Sequence, residues 1–218
     1  MREAPSIFTV NCVNLAHRTD RRNHIIEEFK GKYEFNLEIV PAIQHKKGAI
    51  GLWKTINELI AEALNSNQEY IIICEDDHSF PLNYTREILF DAIQLAGQME
   101  TDILLGGISW FNNALQISPN LFWVDKFSGL QFTIVYRKFF ETILKADFNY
   151  DDAADYKISS LTSNKLIIYP FISTQKEFGY SDVTSKNNTE GYVTKIFNDA
   201  AEQMGNLQKA AQFYEIEF

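Results

Sequence analysis

The sequence predicts an α/β protein: a mainly parallel sheet flanked by helices in residues 1–107, continued by a smaller mixed half in residues 108–218, the two making one domain. Three observations carry that expectation. Short apolar runs alternate with amphipathic helical stretches through the first half, in the order β-α-β-α-β-α-β. Such alternation implies parallel strands with helices on both faces. The 218 residues are 45% hydrophobic and 14% aromatic, enough to bury a sizeable core, and no repeat, low-complexity tract or Pro/Gly-rich linker divides them.

The elements follow in order. "SIFTVNCVNL" is a strand whose Ile7, Phe8, Val10, Val13 and Leu15 are too continuous for a surface hairpin. Asp20 caps a helix through "RRNHIIEEFKGK", with Ile25, Ile26 and Phe29 on one face. "FNLEIVPAI" is a second strand. "AIGLWKTINELIAEALNS" sets Leu52, Ile56, Leu59, Ile60, Ala63 and Leu64 at helical spacing. "YIIICEDDHSF" is a buried strand ending in three carboxylates. "TREILFDAIQLAG" is a helix ending near Gly97, and "DILLGG" a short buried strand. In the second half, "NLFWVDKFSGLQFTIVYRK" reads as two strands around a turn at Ser128-Gly129. "KFFETILKAD" is a helix, "NKLIIYPFIS" a strand closed by Pro170, and the tail from Val193 to Leu207 a packing helix.

The net charge of -9 and pI near 5.0 exclude a nucleic-acid binder relying on a broad basic face. Cys12 and Cys74 sit in apolar runs outside any C-x-x-C pair, as buried free thiols of a reducing cytosol do. The N-terminus lacks a signal-peptide core and no apolar run reaches membrane-span length, so the expected location is cytoplasmic. Without a basic amphipathic helix, membrane contact is at most peripheral, at the inner face.

Ligands of open α/β sheets collect beyond the carboxyl ends of strands, where Glu75, Asp76 and Asp77 lie. Alternate residues of an extended chain share a face, which groups Glu75 with Asp77. Paired carboxylates need a cation to offset their repulsion. Oxygen ligands suit Mg2+ or Mn2+, which commonly complete their shell with substrate phosphates. The competing reading is a solvated acidic turn. At the end of the first strand, Arg18, Arg21 and Arg22 suit phosphate or a planar polar ring, and cations there oppose the helix dipole. His78 is either a metal ligand or, the preferred reading, a solvent-facing residue; His17 and His45 are ordinary loop residues. Trp53, Trp110, Trp123 and Phe111 suit sugar stacking, though core packing is the commoner use.

In their order along the chain these residues resemble glycosyltransferase family 25, the lipopolysaccharide and capsule glycosyltransferases of GT-A fold. Asn14, Leu15, Arg18 and Arg21 match its N-L-x-x-R-x-x-R. Gly48, Ile50 and Gly51 match a G-x-I-G helix start, and Glu75, Asp76 and Asp77 the E-D-D that ends a strand. "FTIVYRKFFETIL", the acidic "DDAADYKIS", and Pro170, Gln175, Ser181 and Asp182 follow in register. The sequence departs from the pattern on the helix after the glycines. Leu52, Thr55 and Ile56 stand where the family carries a Cys and a Ser-His pair.

The resemblance implies a metal-dependent, inverting hexosyltransferase with a DXD-like motif. It would move a sugar from a nucleotide-sugar, UDP-linked by the family's habit, to a hydroxyl of a glycan or lipid-linked glycan acceptor, as in lipopolysaccharide or capsule biosynthesis. Residues 1–107 are then the nucleotide-sugar half and residues 108–218 the acceptor side. Asn14, Leu15, Arg18, Arg21 and Asp76 are the nucleotide candidates, and Glu75 and Asp77 the ligands of Mn2+ or Mg2+. Inversion requires a carboxylate to take the acceptor proton. Asp155, Asp152 and Asp182 are the candidates, with "DYKI" favouring Asp155. A metal-dependent nucleotidyltransferase or hydrolase would use the same carboxylates, and a non-catalytic nucleotide-sugar-binding homologue accommodates the missing Ser-His pair.

Overall fold

The computed structural model describes residues 7–180 and 185–218. An eight-stranded mixed sheet runs through both halves of the sequence. It is built from β1 (Phe8–Asn14), β2 (Phe35–Pro41), β3 (Tyr70–Glu75), β5 (Ile103–Leu105), β7 (Ala114–Ser118), β8 (Leu121–Val124), β10 (Phe132–Tyr136) and β11 (Lys165–Ile168), in the order β2-β1-β3-β10-β5-β11-β8-β7. Two small ribbons flank it: β4 (His78–Ser79) with β12 (Thr174–Gln175), and β6 (Trp110–Phe111) with β9 (Phe127–Ser128).

Helices cover both faces, as the alternation predicts. α1 (Thr19–Phe29) and α3 (Arg86–Gln98) pack Ile25, Phe29, Leu89 and Ala92 against Val10, Cys12, Ile72 and Leu104. On the other face lie α2 (Gly48–Asn65), α4 (Arg137–Leu144), α5 (Ala154–Leu161) and α6 (Tyr192–Phe213), packed on Val13, Ile71, Ile73, Leu105 and Ile167. Each strand thus sends alternate side chains into two separate cores. Cys12 and Cys74 are buried free thiols.

The second half differs from its reading. "NLFWVDKFSGLQFTIVYRK" is not a hairpin. β8 pairs with β7 and β11, whereas β10 inserts antiparallel between β3 and β5. An entirely buried run such as Phe132–Tyr136 carries no sign of its direction, because both of its faces are apolar. β1, β2 and β3 are parallel neighbours, but β5 joins them only through β10. The acidic segment before β11 forms α5, and α1 begins at Thr19, with Asp20 inside its first turn rather than capping it. Ile26 is exposed although Ile25 and Phe29 are buried.

Two glycines mark close approaches. A side chain at Gly51 would meet the Ile43 carbonyl oxygen at 2.3 Å, and one at Gly107 would meet the Ser173 carbonyl oxygen at 1.9 Å. The first lets the start of α2 sit on the chain leaving β2. Thr55 secures that contact, its Oγ1 accepting from Ile43 N at 2.8 Å and donating to Gly51 O at 2.9 Å.

His78 is not solvent-facing. It is fully buried, with Nδ1 2.7 Å from Ser173 Oγ and its ring against Phe80, Phe29 and Phe132. It faces this aromatic cage, so it is not placed as a metal ligand either. Burial, with small contributions from His24 and Lys32, pushes its pKa down to about 3. Between that value and the ordinary histidine range the unfolded chain binds the extra proton, so this group costs stability as pH falls. His78→Gln is therefore expected to unfold more easily than wild type at pH 7, with a gap that narrows toward pH 4. Urea titrations at the two pH values check this; a gap that stays constant shows that His78 does not titrate on unfolding.

Candidate functional site

A cleft of about 900 Å³ opens where the carboxyl ends of β1 and β3 meet the amino end of β10. Its floor is built by local geometry. β3 stops at Glu75, whose backbone N–H donates to Gln131 O at 3.1 Å. The chain then turns through Asp76 and Asp77 into β4, and pairing of His78 with Gln175 fixes the turn.

One guanidinium ties the turn together. Arg21 Nη1 donates to Asp76 Oδ1 at 3.0 Å and to Asp77 Oδ2 at 2.8 Å. Asp76 Oδ2 also accepts from Asn14 Nδ2 at 2.7 Å, and Asp77 Oδ2 from Gln175 Nε2 at 3.1 Å. Arg21 is itself held by Tyr180, through Nη2 to the carbonyl oxygen at 3.0 Å, and by the Phe178 ring 4.7 Å away. The cation in the first turn of α1 thus has two buried carboxylates to offset its conflict with the helix dipole.

Negative charge still exceeds the positive charge on this floor. Asp77 is 4% exposed, and its Oδ1 has no hydrogen-bond partner among the described residues. Burial lifts its pKa to about 6 even though Arg21 pulls the other way. Burial likewise pushes the Glu75 carboxyl well up, reinforced by the charges of Asp77, Asp155 and Asp76. The carboxylates of Glu75, Asp76, Asp77 and Asp155 share the cleft with one committed arginine.

Asp155 reaches the cleft from the first turn of α5. Its Oδ2 accepts from Ser128 Oγ at 2.6 Å and Gly129 N at 3.1 Å, and its Oδ1 from Tyr156 N at 2.8 Å. The helix is pinned from its far end. Buried Lys165 donates through Nζ to Ser159 O and Thr162 O, each at 2.6 Å. Asp152 also lines the cleft, but its carboxylate pairs with Lys157 at 3.1 Å and accepts from Asn149 N at 2.8 Å. Asp182 and Ser181 lie outside the described residues.

Among the nucleotide candidates, Leu15, Arg21 and Asp76 line the cleft. Asn14 is 3% exposed and orients Asp76, and the Arg18 guanidinium lies over the Tyr180 ring at 4.0 Å. Trp110 lines the cleft and is 44% exposed, whereas Trp53 is buried against Phe148, Phe111 is core and Trp123 donates to Ser163 O. Leu52 lines the cleft, and Ile56 belongs to the core.

Sequence reasoning missed Ser128, Gly129 and Gln131, which reach the floor only because β10 runs antiparallel to β3. It also missed the loop before α2: His45, Lys46 and Lys47 line the cleft, Lys47 pairing with Asp151 at 3.6 Å. The adjacent Lys46 and Lys47 were legible, but not the face they would join.

A divalent cation fits this donor set. Asp77 Oδ1 is buried without a partner among the described residues, and clustered carboxylate oxygens are donors that suit a hard divalent ion. Among the described residues no three acidic, His or Cys side chains converge as a complete ligand set, so phosphate and water oxygens would have to supply the remainder.

No family model and no curated protein matches the sequence. Among solved structures the chain is similar to A197 from STIV, at 12% identity and a TM-score of 0.54, over 81% of this chain and 87% of that one. It also resembles UDP-glucose pyrophosphorylase complexed with UDP-glucose, at 10% identity and 0.49, over 90% and 81%. A third is a glycosyltransferase involved in the glycosylation of the major capsid of PBCV-1, at 10% and 0.46, over 81% and 95%. The likeness to A197 is one of fold: an α/β chain with helices around a large central sheet.

Proposed function

We infer that the chain is a glycosyltransferase of GT-A type, moving a sugar from a nucleotide-sugar to a hydroxyl of a glycan acceptor. One observation carries the reading most: the strand-end carboxylates of Glu75, Asp76 and Asp77 share a single cleft with the carboxylate of Asp155, which three donors hold in place. The ordered sequence motifs support it. Residues 1–107 supply the nucleotide side and residues 108–218 the acceptor side of one domain.

Glu75 and Asp77 would hold Mn2+ or Mg2+, assisted by donor phosphates. When bound, that ion supplies charge stabilisation for the departing nucleoside diphosphate. Arg21 holds the carboxylates of Asp76 and Asp77 in place. Leu15, Asp76 and the first-strand turn would border the space for the nucleoside, and Lys46 would offer positive charge toward phosphate. Asp155 takes the acceptor hydroxyl proton as the acceptor oxygen bonds to the anomeric carbon. The bond from that carbon to the diphosphate oxygen breaks, and the nucleoside diphosphate leaves with its electron pair. Attack from the face opposite the leaving group inverts the anomeric centre. UDP is the expected nucleotide and a lipopolysaccharide- or capsule-type glycan the expected acceptor. No helix among the described residues is long and apolar enough to cross a membrane; peripheral contact is the route we propose to a lipid-linked acceptor.

Thermal shifts test this. Wild type with UDP or a UDP-sugar at a hundredfold excess over Kd should gain about 2.7 kcal/mol, and more with Mn2+ than without. Asp77→Asn should lose the Mn2+-dependent part and its turnover, with unliganded stability no lower than wild type, since removing one of several clustered carboxylates relieves repulsion. Wild type unmoved by every nucleotide and nucleotide-sugar, with or without Mn2+, would end the reading.

A further inference from the structure

The cleft floor holds a second buried acceptor without a donor: Gln131 Oε1, on a residue 5% exposed. Its orientation is dictated by a chain of amides. Asp77 Oδ2 already accepts from Arg21, so Gln175 must present its Nε2 to that oxygen. Gln175 Oε1 then faces Gln131, which must answer with its own Nε2, at 3.1 Å. The Gln131 carbonyl oxygen is thereby turned away from Gln175 and cannot exchange places with the amine without breaking that hydrogen bond.

It is turned toward Gly129. A side chain there would bring a carbon within 2.7 Å of Gln131 Oε1, and Gly129 occupies φ +111°, where a side chain is strained as well. The Gly129 N–H holds Asp155. Gln131 Oε1 therefore lies between the Asp77 side of the cleft and the Asp155 side. Asp77 Oδ1 is unpartnered on the same floor. A buried acceptor left unpaired is costly, and a ligand that carries hydroxyl donors removes the cost.

We propose that Gln131 Oε1 accepts a hydrogen bond from a hydroxyl of the transferred sugar, making Gln131 a residue that selects the donor sugar. This rests on the nucleotide-sugar reading above and adds which part of the ligand lies over β10. Gln175 is its positioning residue, holding the amide in the accepting orientation.

Calorimetric titration of wild type and Gln131→Met with UDP, UDP-glucose and UDP-galactose, each with Mn2+, tests it. Methionine keeps the length of the side chain and removes the acceptor. The expected result is about tenfold weaker binding of whichever UDP-sugar wild type prefers, with UDP affinity unchanged. Equal UDP-sugar affinity in the two proteins overturns the inference, as does an equal loss for UDP and UDP-sugar, which marks a structural role. Wild type that binds UDP and UDP-sugars leaves the parent reading standing in either case; wild type that binds none overturns both. Should Gln131→Met not fold, wild type is titrated with UDP-sugar analogues each lacking one hydroxyl. One analogue should bind at least about tenfold more weakly, because a site built to pair a hydroxyl rejects its absence. Equal binding of all analogues overturns the inference.

Discussion

Arg21→Ala loses about 3–5 kcal/mol of folding stability, the cost of leaving a buried ion pair without one partner. The Arg21 side chain is 10% exposed and lies 3.0 Å from Asp76 and 2.8 Å from Asp77, whose own side chains are 12% and 6% exposed. Alanine strands both carboxylates in the floor of the cleft and releases Tyr180 and Phe178 from the guanidinium. The effect on the fold therefore precedes any effect on donor binding. Arg21→Lys retains one charge but not the planar fork, and falls between. Adding Asp77→Asn to Arg21→Ala recovers part of the loss, because one of the stranded charges is gone. Urea denaturation of the three variants measures this, and an Arg21→Ala protein within about 1 kcal/mol of wild type shows that the pairs contribute nothing net.

The variant also steepens a pH dependence that the wild type already carries. Burial already holds the Asp77 carboxyl at about 6, above an unfolded aspartate, while Arg21 pulls it down. Without Arg21 it climbs further. The folded state then binds more protons than the unfolded chain from the acid range upward, so the stability of Arg21→Ala falls as pH rises.

What the sequence made legible follows from the range of each interaction. β3 and its acidic end are local: a continuous apolar run exhausts itself at Cys74 and three carboxylates follow. The helices on both faces follow from the 3.6-residue stripes, such as the one that buries Ile56, Leu59, Ile60 and Ala63 of α2. The partner of Arg21 was not legible, because it lies 55 and 56 residues away and nothing local to α1 names it. The conflict of that arginine with the helix dipole was the one sign that a long-range partner existed. The direction of β10 was equally hidden, and with it the arrival of Ser128, Gly129 and Gln131 at the site. His78 misled for the opposite reason: its acidic neighbours in sequence face the cleft, while its own side chain turns into a cage of phenylalanines.

Asp155→Asn is expected to lower kcat by a factor of about 100–10,000, the usual worth of a positioned general base, while nucleotide affinity stays nearly constant. The geometry favours Asp155 over Asp152. The Asp152 carboxylate is spent on Lys157 and on the Asn149 N–H, and those contacts hold its pKa below the usual carboxylate range, which makes it a poor proton acceptor. Asp155 accepts only neutral donors, from Ser128, Gly129 and Tyr156, and its charge is felt by Glu75 across the cleft. Those three donors also hold the carboxylate to one orientation, the preorganisation a general base requires. In the asparagine variant the amide NH2 must confront the Tyr156 N–H or the pair from Ser128 and Gly129, so some stability is lost as well. Melting curves separate that loss from the chemistry, and calorimetry with UDP and Mn2+ shows whether the donor side survives. The kinetic split decides the role: kcat reduced at unchanged UDP affinity makes Asp155 the proton acceptor, whereas unchanged turnover moves the role to Asp182.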